Sequence, residues 1–164
     1  MNVKYLGEKI MSVIKDRVTA TRDEPFCLFL IGMRINNFWK IHKWLPIFFQ
    51  MPQMMRELEK DESLGYLGGE SWIGRNIIFV QYWASFEHLE NFAKSRDHSH
   101  LPAWQNFMKR VGINGDVGIW HETYEVKKGS YENIYANMPP FLLGKISKLT
   151  KVTASINSAR KRKS

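Results

Sequence analysis

The chain of 164 residues has a single cysteine, Cys27, so no internal disulfide can form. A lone thiol inside an apolar run suits a reducing compartment. No apolar run is long enough to span a bilayer, and the N-terminus alternates charged and apolar residues rather than resembling a signal peptide; a cytoplasmic protein without a transmembrane segment is expected. There is no Gly-rich phosphate loop, no nucleophile elbow and no carboxylate pair at a useful spacing, which sets aside nucleotide-dependent and hydrolytic chemistry. Acidic residues are missing after Glu132. Lys145, Lys148, Lys151, Arg160, Lys161, Arg162 and Lys163 supply seven of the net +8 charges, leaving +1 for everything before them. A nearly neutral body with a basic, Ser/Thr-rich end reads as a domain with a solvated tail, not as a nucleic-acid binder.

The length suits one domain. In residues 1–24, Val3, Leu6, Ile10, Val13 and Ile14 stand at helical spacing with lysines between them, predicting an amphipathic helix packed on the domain. Phe26 to Ile35 is apolar at nearly every position, as a central strand covered on both faces should be. Asn36 and Asn37 offer caps for a helix from Phe38, which Pro46 and Pro52 should kink or divide. Leu67 to Trp72 and Asn76 to Trp83 read as strands around a Gly74-Arg75 turn, Ser85 as the cap of a second helix, and Pro102 as the first turn of another. The order strand, helix, strand, strand, helix, strand predicts an α+β, ferredoxin-like βαββαβ domain: a four-stranded antiparallel sheet with helices on one face. The expected division is 1–25 as an N-terminal extension, 26–144 as the domain and 145–164 as a mobile tail.

The last strand, Val117 to Val126, carries the chemistry. Alternation puts Ile119, His121, Thr123 and Glu125 on one face and Trp120, Glu122, Tyr124 and Val126 on the other. Histidine and threonine in line on a sheet face suit a polar spot in a walled pocket, with His121 as catalytic base or orienting donor, since an imidazole exchanges protons near neutral pH. Arg34, at the end of the first central strand, could meet an anionic group through its fork of donors. Tyr82, Trp83, Trp120 and Tyr124 would be left bare on the helix-free face unless something closes over it. Asp97, His98 and His100 lack a further ligand at fixed spacing, so no metal site is expected.

Two segments, Tyr82-Trp83-Ala-Ser85-Phe-Glu-His-Leu89 and His98-Ser-His100-Leu-Pro-Ala-Trp104, resemble the Trp-x-Ser, apolar helix, His pattern of the dimeric α+β barrel superfamily. Gly118 to Tyr124 and Tyr135-Ala-Asn-Met-Pro-Pro-Phe141 are similar to one monooxygenase-like branch of it, over roughly Phe26 to Gly144. The resemblance implies a homodimer packed sheet to sheet, and an oxidoreductase acting on a small hydrophobic or aromatic ligand. It implies a pocket formed from Arg34, Tyr82, Trp83, Trp120, Thr123, Tyr124 and Asn137, with Tyr135 to Phe141 as a lid or sealing arm. Some members of the superfamily use haem, and the resemblance then makes His100 the axial candidate. Phe92 and Pro102 stand where the haem-degrading members have tryptophan and histidine, so a haem-free pocket, or a haem aldoxime dehydratase-like or purely ligand-binding one, fits better than haem degradation. Arg75 to Tyr82 also partly resembles an RNA-recognition motif, but Ile77 replaces a base-stacking aromatic and cannot offer a π-face.

Overall fold

A computed structural model describes residues 12–95, 105, 107, 109 and 115–163. The elements are β1 (Ile14–Thr21), β2 (Phe26–Ile35), α1 (Ile41–Lys60), β3 (Tyr66–Trp72), β4 (Asn76–Trp83), α2 (Phe86–Lys94), β5 (Val117–Val126), β6 (Tyr135–Met138) and β7 (Lys148–Lys151). Strands β2 to β5 form one antiparallel sheet in the order β3-β4-β2-β5. With α1 joining β2 to β3, and α2 preceding β5, this is the ferredoxin-like arrangement expected from the pattern. No helix among the described residues is long and apolar enough to cross a membrane.

Burial explains why each piece forms. Cys27, Met33 and Ile35 of β2 share one face with Ile77, Phe79 and Trp83 of β4, and α1 covers it with Ile47, Met55 and Leu58. Helix α1 runs unbroken through Pro46 and Pro52 and starts at Ile41, with Lys40 at its N-cap and no side-chain cap bond. The prolines do not divide it because the buried stripe of Ile47, Met54, Met55 and Leu58 holds both halves on the sheet. Asn37 instead closes a short turn ahead of the helix, its side chain accepting from the Trp39 N–H at 3.2 Å. Ser85 does cap α2, accepting from His88 N at 3.4 Å.

Two terminal expectations are corrected. Ile14 to Thr21 is a strand, not the end of a helix, and it pairs with β6 on one side and β7 on the other. Its β-branched residues Ile14, Val18, Thr19 and Thr21 favour that state once partners exist; residues 1–11 lie outside the described part. Nor is the basic end a loose tail. β7 pairs with β1 from Thr21↔Lys148 to Val18↔Lys151, Lys145 Nζ reaches Glu70 at 2.6 Å, and Arg162 Nε donates to Glu132 at 2.6 Å. Ile146 and Leu149 turn inward onto Tyr82 and Leu143, so the lysines are the outer row of a packed segment.

The small sheet, in the order β6-β1-β7, therefore lies over part of the helix-free face, where Phe26, Leu28, Val80 and Tyr82 meet Ala20, Tyr135 and Leu143. The molecule has three layers: helices, main sheet, small sheet. Ile77 is only 3% exposed and faces the helices, so its position does not correspond to a base-stacking site on an open sheet.

Gly32, at the middle of β2, is a point where two elements close on the backbone. A Cβ there would stand 2.6 Å from the Ile77 carbonyl oxygen and 2.7 Å from Trp120 Nε1. Gly32→Ala is expected to destabilise the fold by about 1–3 kcal/mol, the usual cost of overpacking. Urea midpoints of the two proteins check this; an unchanged midpoint would mean that the indole and strand give way freely.

Candidate functional site

The helical face of the sheet does not close completely against α1 and α2. A cavity of about 390 Å³ remains between them. Its floor follows two cross-strand rows set by the register: Phe79, Ile31 and His121 in one, Gln81, Phe29 and Thr123 in the next. Its roof is Ile47, Phe48 and Leu58 from α1 and Phe86, Leu89 and Phe92 from α2. The wall is predominantly apolar, which is the usual make-up of a small-molecule site, with a few polar groups to orient what enters.

Three expected site residues meet here. His121 and Thr123 line the cavity from β5 and Trp83 from β4. His121 lies at the edge and stays open to solvent, with its ring centre 5.7 Å from that of Phe29 and tilted by 43°. Trp83 is buried and leans on Phe92 at 5.6 Å. An imidazole at the edge of an aromatic cleft can accept a proton from a bound molecule and pass it to water.

The other expected residues lie elsewhere. Tyr82 and Trp83 are neighbours on one strand, so they cannot share a face. Tyr82 packs in the opposite layer, 5.7 Å from Phe26, and burial pushes its phenol up to about 12. Trp120 and Tyr124 are on that opposite face too; Tyr124 donates to Glu122 at 2.6 Å, and this bond raises its pKa. Arg34 is tied at the strand end to Asn36 (3.2 Å) and Asn76 (3.0 Å). Asn137 is in the small sheet with a left-handed backbone, φ 54°. His98, His100 and Trp104 lie outside the described residues.

Gln81 is the cavity residue that the motifs underplay. It is 5% exposed, and its Oε1 accepts from Trp83 Nε1 at 3.1 Å while its Nε2 points to Met55 Sδ at 3.4 Å. Alternation alone contains the signal: Ile77, Phe79, Gln81 and Trp83 share a face, and Gln81 is its one hydrogen-bonding amide. Cys27, by contrast, is no nucleophile. Burial raises its thiol to about 11, so it stays protonated at neutral pH.

Haem finds little here among the described residues. His121 is the one imidazole on the cavity wall, and no lysine or arginine lines it to meet the two propionates. The described residues do not by themselves form a haem site, and no step is derived through one. They also contain no group of three or more His, Cys, Asp or Glu that could hold a metal ion.

The profile of the family described as monooxygenase af470-like matches residues 26–143. Among curated proteins, "Monooxygenase af470" of Aspergillus fumigatus is 32% identical over 94 residues, which is 54% of this chain and 33% of the relative. The match thus spans about a third of that relative's length. Among solved structures, an aldoxime dehydratase crystallised with butyraldoxime superposes with a TM-score of 0.66 at 16% identity, covering 88% of this chain and 45% of that one. A second aldoxime dehydratase gives 0.62 at 18% identity, covering 81% and 43%. At these identities the structural likeness concerns the fold.

The roof is pinned to the floor by one carboxylate. Asp116, just before β5, takes Lys40 and Lys43 from the start of α1, at 2.8 Å each, and its backbone oxygen accepts from Asn36 and Asn37. Hydrogen bonds from Lys40 and then Lys43 hold its carboxyl below the usual carboxylate range. A depressed folded pKa stabilises the protein above the unfolded value and ceases to do so as pH falls through the folded one. Asp116→Asn is therefore expected to be less stable than wild type at neutral pH, with the gap narrowing once pH drops below about 4. Urea midpoints from neutral pH down to about pH 3 measure it; a gap that does not change with pH would remove the carboxylate charge from the account.

Proposed function

The chain belongs to the monooxygenase af470-like family, and on that footing we propose that it is a monooxygenase-like oxidoreductase that takes a small hydrophobic or aromatic molecule into the cavity between sheet and helices. The observation that carries this reading is the cavity itself: an aromatic-lined space of about 390 Å³ with His121, Thr123 and Gln81 on its floor. Such a wall binds a flat apolar molecule by burial and aromatic contact and leaves few groups able to do chemistry.

Of those groups, His121 is assigned the proton transfer. Removing a proton from an acidic C–H or O–H leaves an electron-rich anion that is more easily oxidised, and an edge histidine can return the proton to solvent. Monooxygenation puts one oxygen atom of O₂ into the substrate and releases the other as water, with two further electrons from the substrate or from an external reductant. Thr123, two positions along the same face, adds a hydroxyl that can orient an oxygen of the substrate. Cytoplasmic residence is part of the proposal, on the single buried thiol of Cys27.

Oxygen uptake with a panel of naphthols and anthrones tests the assignment. Wild type is expected to consume oxygen with at least one of them, and His121→Ala to lower the rate by about 100-fold or more while still binding the compound, the usual loss when a general base is removed. Undiminished uptake in His121→Ala would end the base assignment. Binding without uptake by wild type would instead favour a non-catalytic ligand-binding protein, which the same cavity would also serve.

A second copy is proposed to close the part of the helix-free face that the small sheet leaves open. Tyr124 is 48% and Trp72 39% exposed there, beside half-buried Leu30, Ile78 and Trp120. A two-fold dimer is the commonest way to cover such a patch. Sedimentation at micromolar concentration is expected to show a dimer that Trp120→Arg converts to monomer; a wild-type monomer under those conditions would discard the sheet-to-sheet assembly.

A further inference from the structure

We propose that Gln81 is the polar anchor of the cavity and that the ligand is an aromatic molecule bearing a hydrogen-bond acceptor, a carbonyl or comparable oxygen, at the end that enters deepest. This rests on the cavity being the ligand site, as proposed above, and adds which chemistry that site selects.

The orientation of the Gln81 amide is fixed by its neighbour. An indole N–H can only donate, so the atom 3.1 Å from Trp83 Nε1 must be the amide oxygen. Reversing the amide would set N–H against N–H. The NH₂ end is thereby turned away from the indole and towards Met55, in a side chain that lines the cavity. It carries two hydrogens. One faces the Met55 thioether at 3.4 Å, a weak acceptor, and the other has no hydrogen-bond partner among the described residues. A buried amide donor left with a thioether is costly unless something polar arrives, and a purely hydrocarbon ligand would seal that cost in. A ligand oxygen removes it.

The surroundings set the shape of that ligand. Gln81 and Thr123 flank Phe29 on the same face, each directly paired with it across a strand. At the usual strand spacing their backbones are about 10 Å apart. A fused aromatic lying over Phe29 would place one end against the Gln81 amide and the other towards Thr123 and His121. The buried end recognises an acceptor, and the edge, where His121 meets solvent, handles the proton. That polarity makes Gln81 a binding and specificity group and not the base.

Two probes of nearly the same shape test it: 2-acetonaphthone, and 2-isopropenylnaphthalene, in which a CH₂ replaces the carbonyl oxygen. The ratio of their affinities is compared between wild type and Gln81→Met, so that the difference in transfer from water cancels. The ketone-to-alkene preference is expected to fall about tenfold in Gln81→Met, one hydrogen bond's worth. Trp83→Phe, which keeps a ring but frees the amide to turn, is expected to lose part of the preference. If Gln81→Met does not fold, the carbonyl stretch of 2-acetonaphthone bound to wild type decides. It is expected near the frequency in a hydrogen-bonding solvent, and a stretch matching that in alkane overturns the proposal. An unchanged ratio in a folded Gln81→Met overturns it as well, while leaving the cavity as ligand site. Failure of wild type to bind either probe would overturn the ligand site and the anchor together.

Discussion

Strand β2 is hydrogen-bonded along both edges, to β4 and to β5, and carries apolar side chains on both faces. A strand of that kind cannot leave either face to water, so two coverings must be found. The helices supply one and the small sheet with the C-terminal segment supplies the other. The same pairing sets the site. His121 lies opposite Ile31, and Gln81 and Thr123 flank Phe29, because the register says so. A slip of one residue between β2 and either neighbour would send that neighbour's polar group to the wrong face and fill the cavity floor with a different set.

What is legible in the sequence follows the range of the physics involved. Alternation along Val117–Val126 places His121 and Thr123 together, and the continuous apolar run places β2 at the centre; both are local patterns. The Ser85 cap is local too. The pairing of β1 with β7 is not: Val18 meets Lys151 across most of the chain, and nothing in Ile14–Thr21 announces a partner that far away. Charge hid the other half of that pair. Lys148-Leu149-Thr150-Lys151 looks solvated when its charges are counted and looks like a strand when Leu149 is seen to point inward. The pairing of Tyr82 with Trp83 in one expected pocket has a plainer cause. A motif shared with a family carries residues by their order, while a strand sorts them by parity.

The site shows the same division. Its apolar walls come from elements that any ferredoxin-like domain must pack, so they say little about chemistry. The specific content is confined to a few polar groups in an otherwise greasy space: a histidine at the edge, a threonine beside it, an amide at depth and, on the helical side, Glu90, which is paired with Lys94. Family membership places the chain among monooxygenase-like proteins; the small aromatic substrate is the proposal, supported by the apolar, aromatic lining of the cavity. The Asp116 clamp adds a mechanical condition, since the start of α1 and the start of β5 are held by the same carboxylate and its backbone.

Strand β3 stands at one edge of the main sheet and β5 at the other. Exposed strand edges are templates on which further chains can add, the first step towards insoluble aggregates. On β3 the register slips between Tyr66 and Gly68, and Gly68 has φ 147°, open only to glycine. An edge broken in this way presents no straight row of donors and acceptors for an incoming strand. On β5, Glu122 and Glu125 bring charges of one sign to the edge, where a parallel copy in register would set like against like. The break in the pairing thus works against the addition of a further strand to an aromatic-rich sheet.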